Sequence, residues 1–290
     1  SAGRMVTQMV TMRTKVATPH SDAQLSEQPI VCSGVTASYR RDQVALSNIT
    51  CTFQPGTSTA LMGPNGCGKT TLLRVICGLH PPADGHISPE PGLQSSAFVA
   101  QQHRQHTWLP ISVANVLRMA RYRNRGLVRR LSSSDMDMVG DAARRLGVTD
   151  LMSRQFGELS GGQRQRVLVA QALAQDAAVL LMDEPITGLD LPSQETILAV
   201  IEDERNRGRI VVISTHHLAE AEVCDQVLLL AKYLVAAGTP CDVLNKANLR
   251  TAYGVRSILG ADEDCALHDS SQASQFVPFF DAHRSDAAHN

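Results

Sequence analysis

The stretch Gly63-Pro64-Asn65-Gly66-Cys67-Gly68-Lys69-Thr70-Thr71 has the residue types and spacing of a phosphate-binding loop. Glycines at 63, 66 and 68 let a backbone turn back on itself with its N–H groups inward, where they can hold phosphate oxygens beside a helix N-terminus. Lys69 supplies a mobile positive charge for β- and γ-phosphates, and Thr70 a hydroxyl for Mg²⁺, a hard cation that prefers oxygen ligands. A second chemical point is Asp183-Glu184, two carboxylates closing the apolar run 178–182, at the strand end where open α/β sheets bind ligands. A third is Ser160-Gly161-Gly162-Gln163, small residues at the entrance to the apolar segment 167–174 and so another helix start suited to an anion. Thr215-His216-His217, after the apolar run 210–214, sets imidazoles at the end of one more buried strand.

These groups need elements to hold them. Residues 58–62 read as a buried strand and 71–76 as a helix start, giving strand, glycine loop and helix in succession. Upstream, 30–32, 35–39 and 46–53 read as strands before a turn at Pro55-Gly56, which predicts a small antiparallel β-layer beside the nucleotide core. The four prolines and three glycines of 78–92 predict loop and turn throughout. A short strand follows at 97–100, ending on Gln101-Gln102. Helices are expected over 113–122, with Ser112 as N-cap, and over 135–146, with Ser134 before it and Gly147 after it. Between them Arg121, Arg123, Arg125, Arg129 and Arg130 read either as a solvated face or as a contact for an acidic partner loop or lipid headgroups. A helix over 192–207 closed by Gly208, another from near Leu218, and strands at 227–230 and 234–237 complete the pattern. The fold class expected is α/β, with a mainly parallel sheet, an antiparallel β-layer and a helical insert.

Composition narrows the functions. With 290 residues, 43% hydrophobic and 19% charged, the chain has material for one substantial core and reads as a globular protein. A formal net charge of −1 offers no basic field for nucleic acid, and 4% aromatics are too few for base-stacking platforms. No apolar run approaches the ~18 residues that span a bilayer, so a membrane role is expected to come through a partner. Seven cysteines, at 32, 51, 67, 77, 224, 241 and 265, make no C-x-x-C pair and read as reduced thiols. Cys67 is open to two readings, a thiol activated by helix-end N–H groups or a small residue that fits the loop. Residues 1–28 read as an irregular arm, 29–254 as the folded domain with a helical subdomain at about 103–158, and 255–290 as a loose tail.

Taken in order, the loop, the Leu159-Ser160-Gly161-Gly162-Gln163 run, Asp183-Glu184 and His216 resemble the ATPase subunit of an ATP-binding cassette (ABC) transporter, over roughly 30–254. The resemblance implies a P-loop NTPase core with ATP and Mg²⁺ as cofactors. It implies ATP contacts from Tyr39, stacked on adenine, and from Gly63, Pro64, Asn65, Gly66, Cys67, Gly68, Lys69, Thr70 and Thr71. Thr70, Gln101 and Asp183 would serve Mg²⁺, with Gln102 the competing register for Gln101. Glu184 would act as general base and His216 would contact the γ-phosphate, His217 being a bystander. Ser160, Gly161, Gly162, Gln163 and Asp190 would form trans contacts in a head-to-tail dimer that sandwiches two ATP molecules. Partners implied are a second copy and integral-membrane permease subunits, with no nucleic acid and no cargo on this subunit, and a place on the cytoplasmic face of the membrane. Leu109-Pro110-Ile111-Ser112-Val113-Ala114-Asn115-Val116 and the ending 234–240, with Asn248-Leu249 and Ala252-Tyr253-Gly254, look like the importers of manganese, zinc or chelated iron. Ala231-Lys232-Tyr233 departs from the family's glycine-containing hairpin turn. A soluble ABC ATPase acting on ribosomes or DNA, and an exporter ATPase, remain open as alternatives.

Overall fold

The computed structural model describes residues 28–40, 43–89, 95–101, 110–125 and 130–254. Nearly all of the expected arm and tail, Gln102, Arg129 and the side chains of Arg123 and Arg125 lie outside them. Two sheets carry the fold. Strands β1 (Ile30–Arg40), β2 (Gln43–Phe53) and β4 (Asp84–Ser88) form an antiparallel sheet in the order β2-β1-β4. Strands β3 (Ser58–Met62), β5 (Ser96–Val99), β6 (Val179–Asp183), β7 (Ile210–Ser214), β8 (Gln226–Leu230) and β9 (Leu234–Gly238) form the other, in the order β5-β6-β7-β3-β8-β9. All its neighbours run parallel except β9 against β8.

The parallel strands read as unbroken apolar runs because both faces are covered, and alternate residues separate onto the two sides. Ala60, Met62, Leu180, Met182, Val211, Ile213, Val227 and Leu229 join one hydrophobic cluster. Leu61, Val179, Leu181, Ile210, Val212, Leu228 and Leu230 join the other. On the second face the sheet meets helix α1 (Lys69–Ile76) and the antiparallel layer through Leu72, Leu73, Ile76, Leu46, Ile49 and Phe53. On the first face lie helices α2 (Val113–Arg125), α3 (Ser133–Arg145), α4 (Gly161–Leu173) and α5 (Leu191–Asn206), with short α6 (Leu218–Glu222) and α7 (Pro240–Val243) and the closing α8 (Lys246–Tyr253). Each fully buried Leu, Ile or Val here contributes about 1.5–3 kcal/mol, so truncating Leu181 to alanine costs about 2–5 kcal/mol.

Three expectations are corrected. The segment 78–92 contains a strand, β4, because Gly85 at φ 76 lets the chain lie against Ser33 and Gly34 of β1. Helix α3 is capped by Ser132, not preceded by Ser134: Ser132 Oγ accepts from the Asp135 N–H, and the Asp135 carboxylate accepts from the Ser132 N–H in return. Arg121 is buried, so it belongs neither to a solvated face nor to a docking surface. Its Nε donates to Asp135 Oδ1 at 3.0 Å and its Nη1 to Ala174 O at 3.0 Å, tying α2, α3 and the end of α4 together. The insert is fastened to the core by Arg145, which reaches Asp203 at 2.6 Å and the fully buried Glu204 at 2.5 Å, on α5.

Candidate active site

The phosphate loop runs from the end of β3 into α1. Gly63 and Gly68 have φ of 143° and 106°, and neither has room for a side chain. A Cβ would stand 2.1 Å from the Leu230 carbonyl at Gly63, and 2.3 Å from Leu46 Cδ2 at Gly68. Gly66 instead has nothing within 4 Å. Lys69 curls back over the loop, donating from Nζ to Gly63 O at 2.7 Å and Pro64 O at 3.3 Å. Those acceptors are neutral, so the full ammonium charge remains for an anion. Cys67 is buried, and burial pushes its thiol up against the lowering influence of Lys69. It is therefore a small residue that fits, and the activated-thiol reading is set aside.

The strand ends of β6 and β7 add the carboxylates. Parallel register sets Asp183 beside Ser214, whose Oγ donates to Asp183 Oδ1 at 2.5 Å, while Thr70 Oγ1 donates to Asp183 Oδ2 at 2.7 Å. Glu184 then turns into the left-handed region at φ 49, a conformation of limited population for a non-glycine residue. Its N–H is held by Ser214 O at 3.2 Å and Oγ at 3.0 Å. That turn sends its carboxylate to Gln101, whose Nε2 donates to Oε2 at 2.7 Å, and to His216, whose Nδ1 lies 3.7 Å from Oε1.

Gln101, Glu184 and His216 line one cleft of about 510 Å³, together with Tyr39, Asn65, Gly66, Gly68, Lys69, Thr70 and Thr71, and Asp183 is joined to it through its bond from Thr70. His216 lines it; His217 does not, and instead opens α6 with its N–H on Thr215 Oγ1 at 3.0 Å. Gln43, Val44 and Ala45 also line the cleft and were not singled out in the sequence, and Lys232, noted there only within the departing turn, lines it too. Ser214 was missed as well, although the parity of β7 beside β6 could have found it.

The donor set fits Mg²⁺ and a nucleotide triphosphate. Thr70, Asp183, Gln101 and Glu184 present oxygen atoms, the ligand type Mg²⁺ demands, within one hydrogen-bonded group. The loop offers a buried ammonium and an open concavity at Gly66 for phosphate.

Ser160-Gly161-Gly162-Gln163 stands apart from the cleft lining. Ser160 caps α4 by accepting from the Gln163 N–H at 3.2 Å, and Gln163 Oε1 accepts from the Ser160 N–H at 3.0 Å. A Cβ on Gly162 would meet Asp190 Oδ1 at 2.8 Å, so this turn packs on the start of α5, whereas Gly161 has nothing within 4 Å. The structure thus joins the loop, Tyr39, Gln101, Asp183, Glu184 and His216, and separately joins Gly162 to Asp190.

Comparison with known proteins agrees with this geometry. The ABC transporter family matches residues 46–187. The manganese transport system ATP-binding protein MntA of Synechocystis sp. is 36% identical over 249 residues, covering 83% of this chain and 96% of that protein. The chain belongs to the ABC transporter family. Another member, the chelated iron transport system membrane protein YfeB of Yersinia pestis, is 36% identical over 233 residues, covering 78% of this chain and 79% of that protein. Among solved structures, an inward-facing ABC transporter assigned to the metal-chelate type superposes with a TM-score of 0.69 at 29% identity, over 77% of this chain and 88% of that one. Among the described residues of this ABC protein, no helix is long and apolar enough to cross a membrane.

Proposed function

We propose that this ABC protein is the ATP-hydrolysing motor subunit of an importer for a metal ion or metal chelate, working as a head-to-tail dimer beneath permease subunits on the cytoplasmic face. The relatives that transport manganese and chelated iron support the cargo class. The motor domain is taken as 29–254, with the helical subdomain at about 103–158 meeting the permease. Soluble ABC ATPases and exporters find no comparable support among these relatives.

The observation that carries the reading is the Glu184 carboxylate, held between Gln101 and His216 one residue beyond an Asp183 tied to Thr70. In this reading Tyr39 takes the adenine, and 63–71 take the phosphates. Thr70, Asp183 and Gln101 would hold Mg²⁺, which would supply positive charge to the phosphate oxygens. Glu184 accepts the proton of the attacking water, and His216 donates to the γ-phosphate. Ser160, Gly161, Gly162 and Gln163 of one copy, with Asp190 beside them, cap the ATP on the other copy's loop. Loss of the γ-phosphate then removes the bridging contacts, and the dimer opens.

The test is Glu184→Gln. The amide keeps the shape and loses the basic oxygen, so turnover falls by at least ~10²-fold while ATP binding persists. Size-exclusion chromatography in Mg-ATP then shows a stable dimer. A variant that turns over near the wild-type rate, or stays monomeric at high concentration, refutes the base or the sandwich.

A further inference from the structure

We propose that Arg74 and His80 are positioning residues that hold the Tyr39 ring as the base platform of the nucleotide cleft. The proposal rests on the reading of that cleft as an ATP site. Tyr39 lies near the end of β1, half-exposed, and lines the cleft. A ring at a strand end, with two free torsions, needs partners to stay in one orientation. It has three. Its hydroxyl lies 3.2 Å from Thr71 Oγ1 and accepts from Arg74 Nη1 at 3.3 Å, while its ring packs on the His80 imidazole with centroids 4.9 Å apart and planes tilted by 41°.

All three partners belong to one body. Thr71 and Arg74 stand i and i+3 on α1 and so share a face, and His80 sits just past the end of that helix, its N–H bonded to Arg74 O at 3.2 Å. His80 does not line the cleft, so it backs the ring rather than facing the ligand. Its Nε2 is buried without a hydrogen-bond partner among the described residues, so its side chain meets Tyr39 by ring contact and not through that atom. Since α1 begins at Lys69 in the phosphate loop, the clamp fixes the base platform to the element that grips the phosphates. The spacing between base and phosphate subsites is thereby set by one helix, although the ring comes from the other sheet.

The test compares ATP with inorganic tripolyphosphate, which has the phosphates but no base, by calorimetry on the full chain. Tyr39→Ala raises the ATP Kd about 5- to 150-fold, and Arg74→Ala and His80→Ala each raise it about 3- to 10-fold. Tripolyphosphate affinity stays within about twofold in all three. Arg74→Lys, which can still donate to the hydroxyl, restores most of the ATP affinity. In a Tyr39→Ala background the other two substitutions add nothing, because there is no ring left to hold. If Tyr39→Ala weakens ATP but neither partner substitution does, the clamp is refuted and the base reading stands. If Tyr39→Ala leaves ATP binding intact, the base reading fails and the clamp with it. Equal losses for tripolyphosphate would show that the substitutions act through the phosphate loop, which also overturns the proposal.

Discussion

The phosphate loop and the Ser160–Gln163 turn are both glycine-bearing helix starts, yet they are built in opposite ways. The first is closed on its inner side, with its opening at Gly66: Gly63 and Gly68 have no space for a Cβ, and Lys69 is buried against the loop carbonyls. Asp183, Glu184, Gln101 and His216 converge beside it. The second is self-contained but open, since Ser160 and Gln163 satisfy each other's backbone and Gly161 faces empty space. A helix N-terminus attracts anions wherever it occurs; a site needs a further wall. The loop has that wall within its own chain; the turn is backed by α5 at Gly162 but, among the described residues, has none at Gly161, where a trans contact would have room.

The largest expected effect tests the closed half. Lys69→Ala removes the buried cation and lowers ATP affinity about 10²- to 10³-fold, roughly 3–4 kcal/mol, independent of protein concentration. Calorimetry giving unchanged affinity would take the loop out of the nucleotide site and end the comparison.

A smaller effect sharpens the open half. Gly161→Ala meets no atom of the described residues within 4 Å, and alanine is favoured over glycine in a helix by about 0.5–1 kcal/mol, so thermal stability holds or rises. If a second copy's ATP occupies that space, the added methyl lowers ATPase activity by roughly tenfold, the cost of a 1–2 kcal/mol clash. Wild-type activity in a stable variant would mean that nothing docks there.

The smallest effect concerns thiol chemistry. Burial raises the Cys67 pKa, so at pH 8 its thiolate fraction is below that of an ordinary thiol, and the exposed Cys241 is alkylated first. Peptide mapping after brief iodoacetamide treatment checks the order; preferential labelling of Cys67 would mean that the loop is more open than its packing indicates.

The closed half was the more legible in the sequence, because its chemistry is local. Gly63, Gly66 and Gly68 announce positive φ, and continuous apolar runs announced β3, β6, β7 and β8. What escaped depends on distant partners. β4 is a strand only because β1 lies beside it, and its prolines and glycines masked that. Ser134 was read as the residue before α3, whereas Ser132 caps it through Asp135, the residue that also takes the tertiary bond from Arg121. Arg121 read as a solvated face or a partner contact because charge in sequence carries no sign of burial. Ser214 was invisible as a partner of Asp183 until the strands were paired.

The turn at Ala231-Lys232-Tyr233 bears on how the protein is made. Lys232, at φ 66, donates its N–H to Cys67 O at 3.0 Å and accepts at its carbonyl from the Ser47 N–H at 2.7 Å. One residue thus fastens the back of the phosphate loop to β2, across 165 positions of chain. On the ribosome these bonds have no partner until residue 232 has emerged, roughly 8–30 s after the loop itself at ordinary elongation rates. A nascent chain therefore carries an unbraced nucleotide loop until Lys232 has been made and has left the ribosome.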